Sequence, residues 1–107
     1  MLPGRTLLVA AALMIGAIAV PAHGATIQIV MENLVMSPAE ATARVGDTVE
    51  WINKDVVAHT ATAQQGGAFD VMLPAGKSGS LVVNKAGTFP YYCRFHPNMK
   101  ATLTVAP

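Results

Sequence analysis

From residue 26 to the end of the chain, apolar residues alternate with polar ones in short runs, and glycine or proline interrupts the pattern every several positions. A repeat of two is the spacing of a strand with one face buried, and no stretch keeps the repeat of 3.6 that a helix would need. Strands are therefore predicted at "TIQIVM", "EATARV", "TVEWIN", "HTATA", "SGSLVV", "GTFPYYC" and "KATLTVA", with "GDT", "QQGG", "LPAGKSG" and "NKAGT" as turns. Many short, closely spaced strands imply an all-β chain folded as a two-sheet sandwich or barrel. Within "GTFPYYC" the alternation puts Phe89, Tyr91 and Cys93 on one face, and in the last strand Ala101, Leu103 and Val105 share a face. Trp51, Phe69, Leu73 and Tyr91 are expected in the core, and Met31, Met36 and Met72 are expected to pack there too. No internal repeat, linker or low-complexity tract divides the chain.

Residues 1–24 read differently. Arg5 precedes an apolar run from residue 7 to 20, and Pro21 is followed by small residues, which is the pattern of a secretory signal peptide rather than of a longer membrane span. Cleavage after Gly24 would leave Ala25 first, and cleavage after Ala22 would leave His23 first. The remainder, residues 25–107, is expected to be one small exported domain, in the periplasm. Its cations (Arg44, Lys54, Lys77, Lys85, Arg94, Lys100) and anions (Glu32, Glu40, Asp47, Glu50, Asp55, Asp70) balance, so no basic patch argues for nucleic acid.

A domain this short buries little apolar surface, and exported domains of its size often rely on disulfides. One cysteine cannot make an internal disulfide. Cys93 is then either a free thiol or a metal ligand. The second option gains weight from "CRFHPNM", where Cys93, His96 and Met99 stand three apart. Pro90 and Pro97 and the β-rich flanks rule out a helical face there. A loop carrying a thiolate, an imidazole and a thioether is a soft donor set, of the kind that with a second imidazole and a weak axial methionine makes an electron-transfer copper centre. The only other histidine after residue 24 is His59, just behind the Trp51 strand.

The stretches "VGDTVEWINKD" with His59, "GAFDVMLPAGKSGS" and "AGTFPYYCRFHPNM" resemble the cupredoxins, the small blue-copper proteins, and among them the amicyanin and plastocyanin branch. The short Cys-x-x-His-x-x-Met loop is similar to that of amicyanin. The resemblance implies a Greek-key β-sandwich, one copper ion held by His59, Cys93, His96 and Met99, and electron transfer as the activity. It also implies His96 as the exposed electron port, an apolar rim for weak docking of redox partners such as a cytochrome c or a dehydrogenase, and a monomer with no membrane insertion once the leader is removed. Short-loop members release the exposed histidine from Cu(I) on acidification, which would raise the potential as pH falls. Two positions depart from the pattern: the family usually has Asn after the first His and Ser or Thr after the Cys, where this chain has Thr60 and Arg94. The brace of the Cys loop must therefore be built differently.

Two other functions are compatible with the sequence. The same fold could carry copper to another protein rather than electrons. Alternatively, a chain beginning at His23 could chelate copper through its amino group and imidazole, as histidine-brace monooxygenases do. Four protein donors leave no open position for a substrate, which argues against an enzyme.

Overall fold

The computed structural model describes residues 24–107. The leader expected over residues 1–24 lies, apart from Gly24, outside the described residues, and so does His23. Nine strands follow in order: β1 (Thr26–Glu32), β2 (Val35–Ser37), β3 (Glu40–Arg44), β4 (Thr48–Asn53), β5 (His59–Ala63), β6 (Asp70–Leu73), β7 (Ser78–Val82), β8 (Gly87–Cys93) and β9 (His96–Ala106). Among the described residues there is no helix. One sheet has the order β2-β1-β4-β7 and the other β3-β9-β8-β5-β6. β1 lies parallel to β4, and β3 parallel to β9, while the remaining pairs are antiparallel. The chain therefore crosses repeatedly between the sheets, as in the Greek-key sandwich expected.

Alternation decides which residues meet in the middle. β4 buries Val49, Trp51 and Asn53, and β1 buries Ile29 and Met31. From the other sheet, β9 contributes Met99, Ala101, Leu103 and Val105, and β8 contributes Tyr91 and Cys93. Against the large residues of β1 and β4 stand small ones, Ala41, Ala43, Ala61 and Ala63, so the layers interdigitate. Trp51, Phe69, Phe89 and Tyr91 form an aromatic cluster with centroid separations of 5.7–6.2 Å. Its one buried polar link runs from Trp51 Nε1, which donates to Tyr91 Oη at 3.1 Å.

Seven of the nine strands stand where the alternation puts them. β2 is only three residues long, too short for an alternating pattern to register. β6 (DVML) follows a glycine-rich turn and, at four residues, is too short to show a clean alternation; it is an edge strand hydrogen-bonded only to β5. That edge position also corrects the expectation for Met72, which is 50% exposed rather than packed, whereas Met31 and Met36 are buried. A second correction concerns residues 96–99. They do not form a loop: β9 begins at His96, and only Arg94 and Phe95 turn the chain.

Burial pushes the Tyr91 hydroxyl up to about 12, against a smaller opposing effect of the hydrogen bond from Trp51. An unfolded chain loses this proton near pH 10 while the folded one keeps it, so the native state binds the extra proton over that interval. Stability should fall between pH 10 and 12 by up to about 1.4 kcal/mol per pH unit from this group. Urea unfolding across that range, repeated with Tyr91→Phe, should show the slope in the parent protein and a flatter one in the variant.

Candidate metal centre

The end of the sandwich where β5 begins and β8 turns into β9 gathers the donors predicted from sequence. His59, Cys93 and His96 bring one ligand atom each to within 4.8 Å of one another. Cys93 Sγ lies 3.7 Å from His59 Nδ1 and 3.6 Å from His96 Nδ1. Bond lengths of about 2.0 Å to nitrogen and 2.3 Å to sulfur at a tetrahedral angle would place such atoms about 3.5 Å apart, so the three donors fit one first-row ion between them. The two imidazoles meet edge to face, with centroids 5.1 Å apart and planes at 72°. His59 and Cys93 are buried, and His96 is partly exposed.

A slip in register sets where Met99 falls in β9. Along β8 and β9 every pair from Gly87↔Val105 to Tyr92↔Lys100 keeps step, and one further step would set Cys93 opposite Met99. Instead Cys93 pairs with His96, and residues 97–99 form a bulge. The bulge lets His96 follow Cys93 across a two-residue turn while Met99 returns, buried, to the core face that it shares with Ala101 and Leu103.

His59 and the turn after Cys93 are held by residues behind them. Asn53, buried at the end of β4, donates from Nδ2 to the carbonyls of Val57, Leu73 and Pro74, and accepts the amide of Asp55. The segment leading to His59 is thereby pinned to two neighbouring stretches. His59 Nε2 donates to Asp55 Oδ2 at 2.7 Å, which fixes the tautomer and leaves the Nδ1 lone pair facing Cys93. Asp55 also accepts the amides of Asn33 and Leu34, two turn residues with φ of 57° and 61°. The hydrogen bond from His59 and those from Leu34 and Asn33 hold the Asp55 carboxyl below its ordinary range, outweighing a partial desolvation that acts the other way.

The departures at Thr60 and Arg94 are resolved as a ring of hydrogen bonds. The Arg94 amide donates to Thr60 Oγ1 at 2.9 Å, the Thr60 and Thr62 hydroxyls are 2.8 Å apart, and Thr62 Oγ1 is 2.7 Å from Asp70 Oδ1. Arg94 Nε closes the ring on the same oxygen at 3.2 Å. One proton per hydroxyl sets the direction: the carboxylate can only accept, so Thr62 donates to Asp70 and Thr60 donates to Thr62. The Thr60 amide points to Cys93 Sγ at 3.4 Å. The Thr62 hydroxyl, with Arg94 also contributing, keeps the Asp70 carboxyl below its usual range. Being a lowered acid, Asp70 contributes to the fold above the unfolded carboxylate range and loses that contribution only as pH falls through its lower folded value.

Sequence reasoning reached the three clustered residues, His59, Cys93 and His96, and Thr60, but not Asp55, Thr62 or Asp70. Asp55 stands four residues before His59 across a turn, a spacing that says nothing by itself. Thr62 shares the outer face of β5 with Thr60 by alternation, and that was the one available signal. Asp70 depended on β6, the strand that the alternation did not reveal.

With the fold and the donors in place, comparison with known proteins is direct. The cupredoxin-like domain family matches residues 5–105. The chain belongs to the cupredoxin family. It stands with the amicyanin and plastocyanin branch: it is 30% identical to amicyanin of Paracoccus versutus over 91 residues, covering 80% of this chain and 67% of that protein. It is 33% identical to plastocyanin of Scenedesmus fuscus over 85 residues, covering 67% of this chain and 87% of that one. Among solved structures, a methionine-to-alanine variant of amicyanin with Cu(I) superimposes with a TM-score of 0.69 at 28% identity, over 75% of this chain and 81% of that chain. The purple cupredoxin of Nitrosopumilus maritimus gives 0.67 at 29% identity, over 75% and 99%.

The ring predicts an asymmetric pair of variants. Thr60→Val should leave the Arg94 amide without its partner and lower stability by about 1–3 kcal/mol, while Thr60→Ser should retain most of it. Urea unfolding of the metal-free proteins measures both, and equal losses would show that the hydroxyl is not what holds the turn.

Proposed function

We propose that the chain is an exported blue-copper electron carrier in which His59, Cys93 and His96 hold a single copper ion through Nδ1, Sγ and Nδ1, with Met99 as the weak fourth donor. The observation that carries this reading is the approach of both imidazole Nδ1 atoms to the Cys93 sulfur, at 3.7 Å from His59 and 3.6 Å from His96. The ion supplies a one-electron change between Cu(I) and Cu(II). The protein supplies a donor set that suits both states: thiolate and thioether favour the reduced one, and imidazole the oxidised one. Rigid backing from Asp55, Asn53 and the Thr60 ring keeps His59 and Cys93 where they are in either state, so little rearrangement of these two accompanies transfer. With every donor drawn from the chain, no place remains for a substrate, and the protein is not an enzyme.

His96 is the route in and out. It is the donor that reaches the surface, and apolar side chains stand exposed at the same end: Val56 beside Asp55 at 93%, Phe95 beside His96 at 47%, and Leu34 on the turn that Asp55 holds. Such a rim suits brief contact with a redox protein, a cytochrome c or a dehydrogenase, because apolar contact without many charge pairs is readily reversed. The protein acts as a monomer in the periplasm, formed by residues 25–107 after the leader is removed. Delivery of copper to another protein is the alternative, and it fits less well with a donor set braced so closely.

Replacing Cys93 with Ser should abolish the intense visible band of the Cu(II) protein, because the band arises from the thiolate. Met99→Leu should keep the band and raise the reduction potential, since an apolar side chain in that place excludes water and disfavours the more highly charged Cu(II). Unchanged colour and potential in Met99→Leu would remove Met99 from the site. Voltammetry at decreasing pH tests the port: release of His96 from the reduced centre should raise the potential, and a flat response would place His96 under tighter control than its exposure indicates.

A further inference from the structure

At the end of the sandwich away from the metal centre, Asp47 is a largely buried residue, 7% exposed in the uncut chain, whose carboxylate makes part-buried hydrogen bonds. Its Oδ2 accepts the Arg44 amide at 2.8 Å and its Oδ1 accepts the backbone nitrogen of Ala25, also at 2.8 Å. Among the described residues no lysine or arginine side chain pairs with it. A buried carboxylate served by two neutral amides is an expensive arrangement unless a positive charge lies close by. The position able to supply one is Ala25 itself.

The surroundings show why this point is held so firmly. The Asp47 amide donates to the Arg44 carbonyl, closing a turn in which Gly46 adopts φ of 98°. The Val83 amide donates to the Asp47 carbonyl, the Gly46 amide to the Val83 carbonyl, and the Thr48 amide to the Ala25 carbonyl. Asp47 thus joins the start of β1, the end of β3, the start of β4 and the residue that follows β7. Gly24 packs directly on this turn: a Cβ there would lie 2.4 Å from Asp47 Oδ1 and 2.6 Å from the Gly46 carbonyl oxygen. Only glycine fits, and a small residue is also what a leader peptidase needs immediately before its cut.

We infer that the chain is cut between Gly24 and Ala25 and that the α-ammonium group thus formed on Ala25 is the built-in counter-charge of Asp47, an ion pair that fastens β1 into the sandwich. In the cut, water adds across the peptide bond under a leader peptidase: its oxygen goes to the Gly24 carbonyl carbon, the C–N bond breaks, and the released Ala25 amine takes up a proton. The amide nitrogen that donated a single hydrogen to Asp47 becomes an ammonium at the same place. Cutting after Ala22 would leave the charge two residues away and keep Gly24 wedged on the turn. The inference rests on the leader being removed on export, and its readouts are independent of copper and colour.

Intact-mass measurement of the protein recovered from the periplasm of an exporting host should give a chain beginning at Ala25. Thermal unfolding then compares the Ala25 protein with its α-N-acetylated form, each with Asp47 and with Asp47→Asn. Acetylation should lower Tm by about 4–8 °C when Asp47 is present and by much less in Asp47→Asn, the shift that the loss of one moderately strong pair gives in a domain of this size. Should Asp47→Asn not fold, labelling of the Ala25 amine at pH 8 still decides: it should run at least about tenfold slower than in a free peptide with the same first residues, because the carboxylate holds the amine protonated. A mature chain beginning at His23, equal Tm losses in both backgrounds, or labelling at the peptide's rate would overturn the pair. A protein that begins at Ala25 but takes up no copper would leave the ion pair standing and remove the electron-transfer reading instead.

Discussion

Thr60 touches both sides of the Cys93 turn. Its amide points to the sulfur of Cys93 at 3.4 Å, and its hydroxyl accepts the amide of Arg94 at 2.9 Å. Because β5 begins with His59, the residue that steadies the thiolate is the neighbour of the imidazole facing it. A small displacement of β5 would therefore move the nitrogen, the amide directed at the sulfur and the anchor of the turn together. With copper bound, the amide directed at the sulfur would withdraw charge from it, disfavour the oxidised metal and so push the potential upward. The structure and the redox property share one small set of contacts.

His59, Cys93 and His96, with Met99 as the proposed fourth donor, come from parts of the chain that only the sandwich brings together. β5 supplies His59, β8 supplies Cys93, and β9 supplies His96 and Met99. The sandwich is closed beneath them by Trp51, Tyr91, Leu103 and Ile29, which are fully buried. A core of this density does not deform continuously, and it transmits its rigidity to the ligands. At the far end, the turn around Asp47 performs the corresponding task for the strand ends. The metal end and the terminus end are thus each fixed by a carboxylate that gathers backbone amides, Asp55 in one case and Asp47 in the other.

Much of this was legible because alternation is a local signal. The two faces of "GTFPYYC" and "KATLTVA" follow from side chains pointing to opposite sides of a strand, and they led directly to Cys93 at the core end of β8. What escaped was non-local. The slip that pairs Cys93 with His96 depends on how β8 and β9 meet, not on either run alone, so residues 96–99 read as a loop. The ring through Asp70 required an edge strand with no clean periodicity, and the Asp55–His59 contact required a turn to bring them together. Met72 failed for a related reason: its pairing with Thr60 puts it on the face of β6 opposite to buried Leu73, and a strand this short does not declare its faces in sequence.

The central claim is that one copper ion sits between His59 Nδ1, Cys93 Sγ and His96 Nδ1 with the surrounding hydrogen bonds unchanged. An anomalous-difference map collected at the copper absorption edge, from crystals of the copper-loaded protein, tests it most directly. The account predicts a single peak enclosed by those three atoms on the Met99 side, with the His59–Asp55 and Arg94–Thr60 hydrogen bonds still made. A peak elsewhere on the surface, or a copper held with His59 turned away from Asp55, would contradict it.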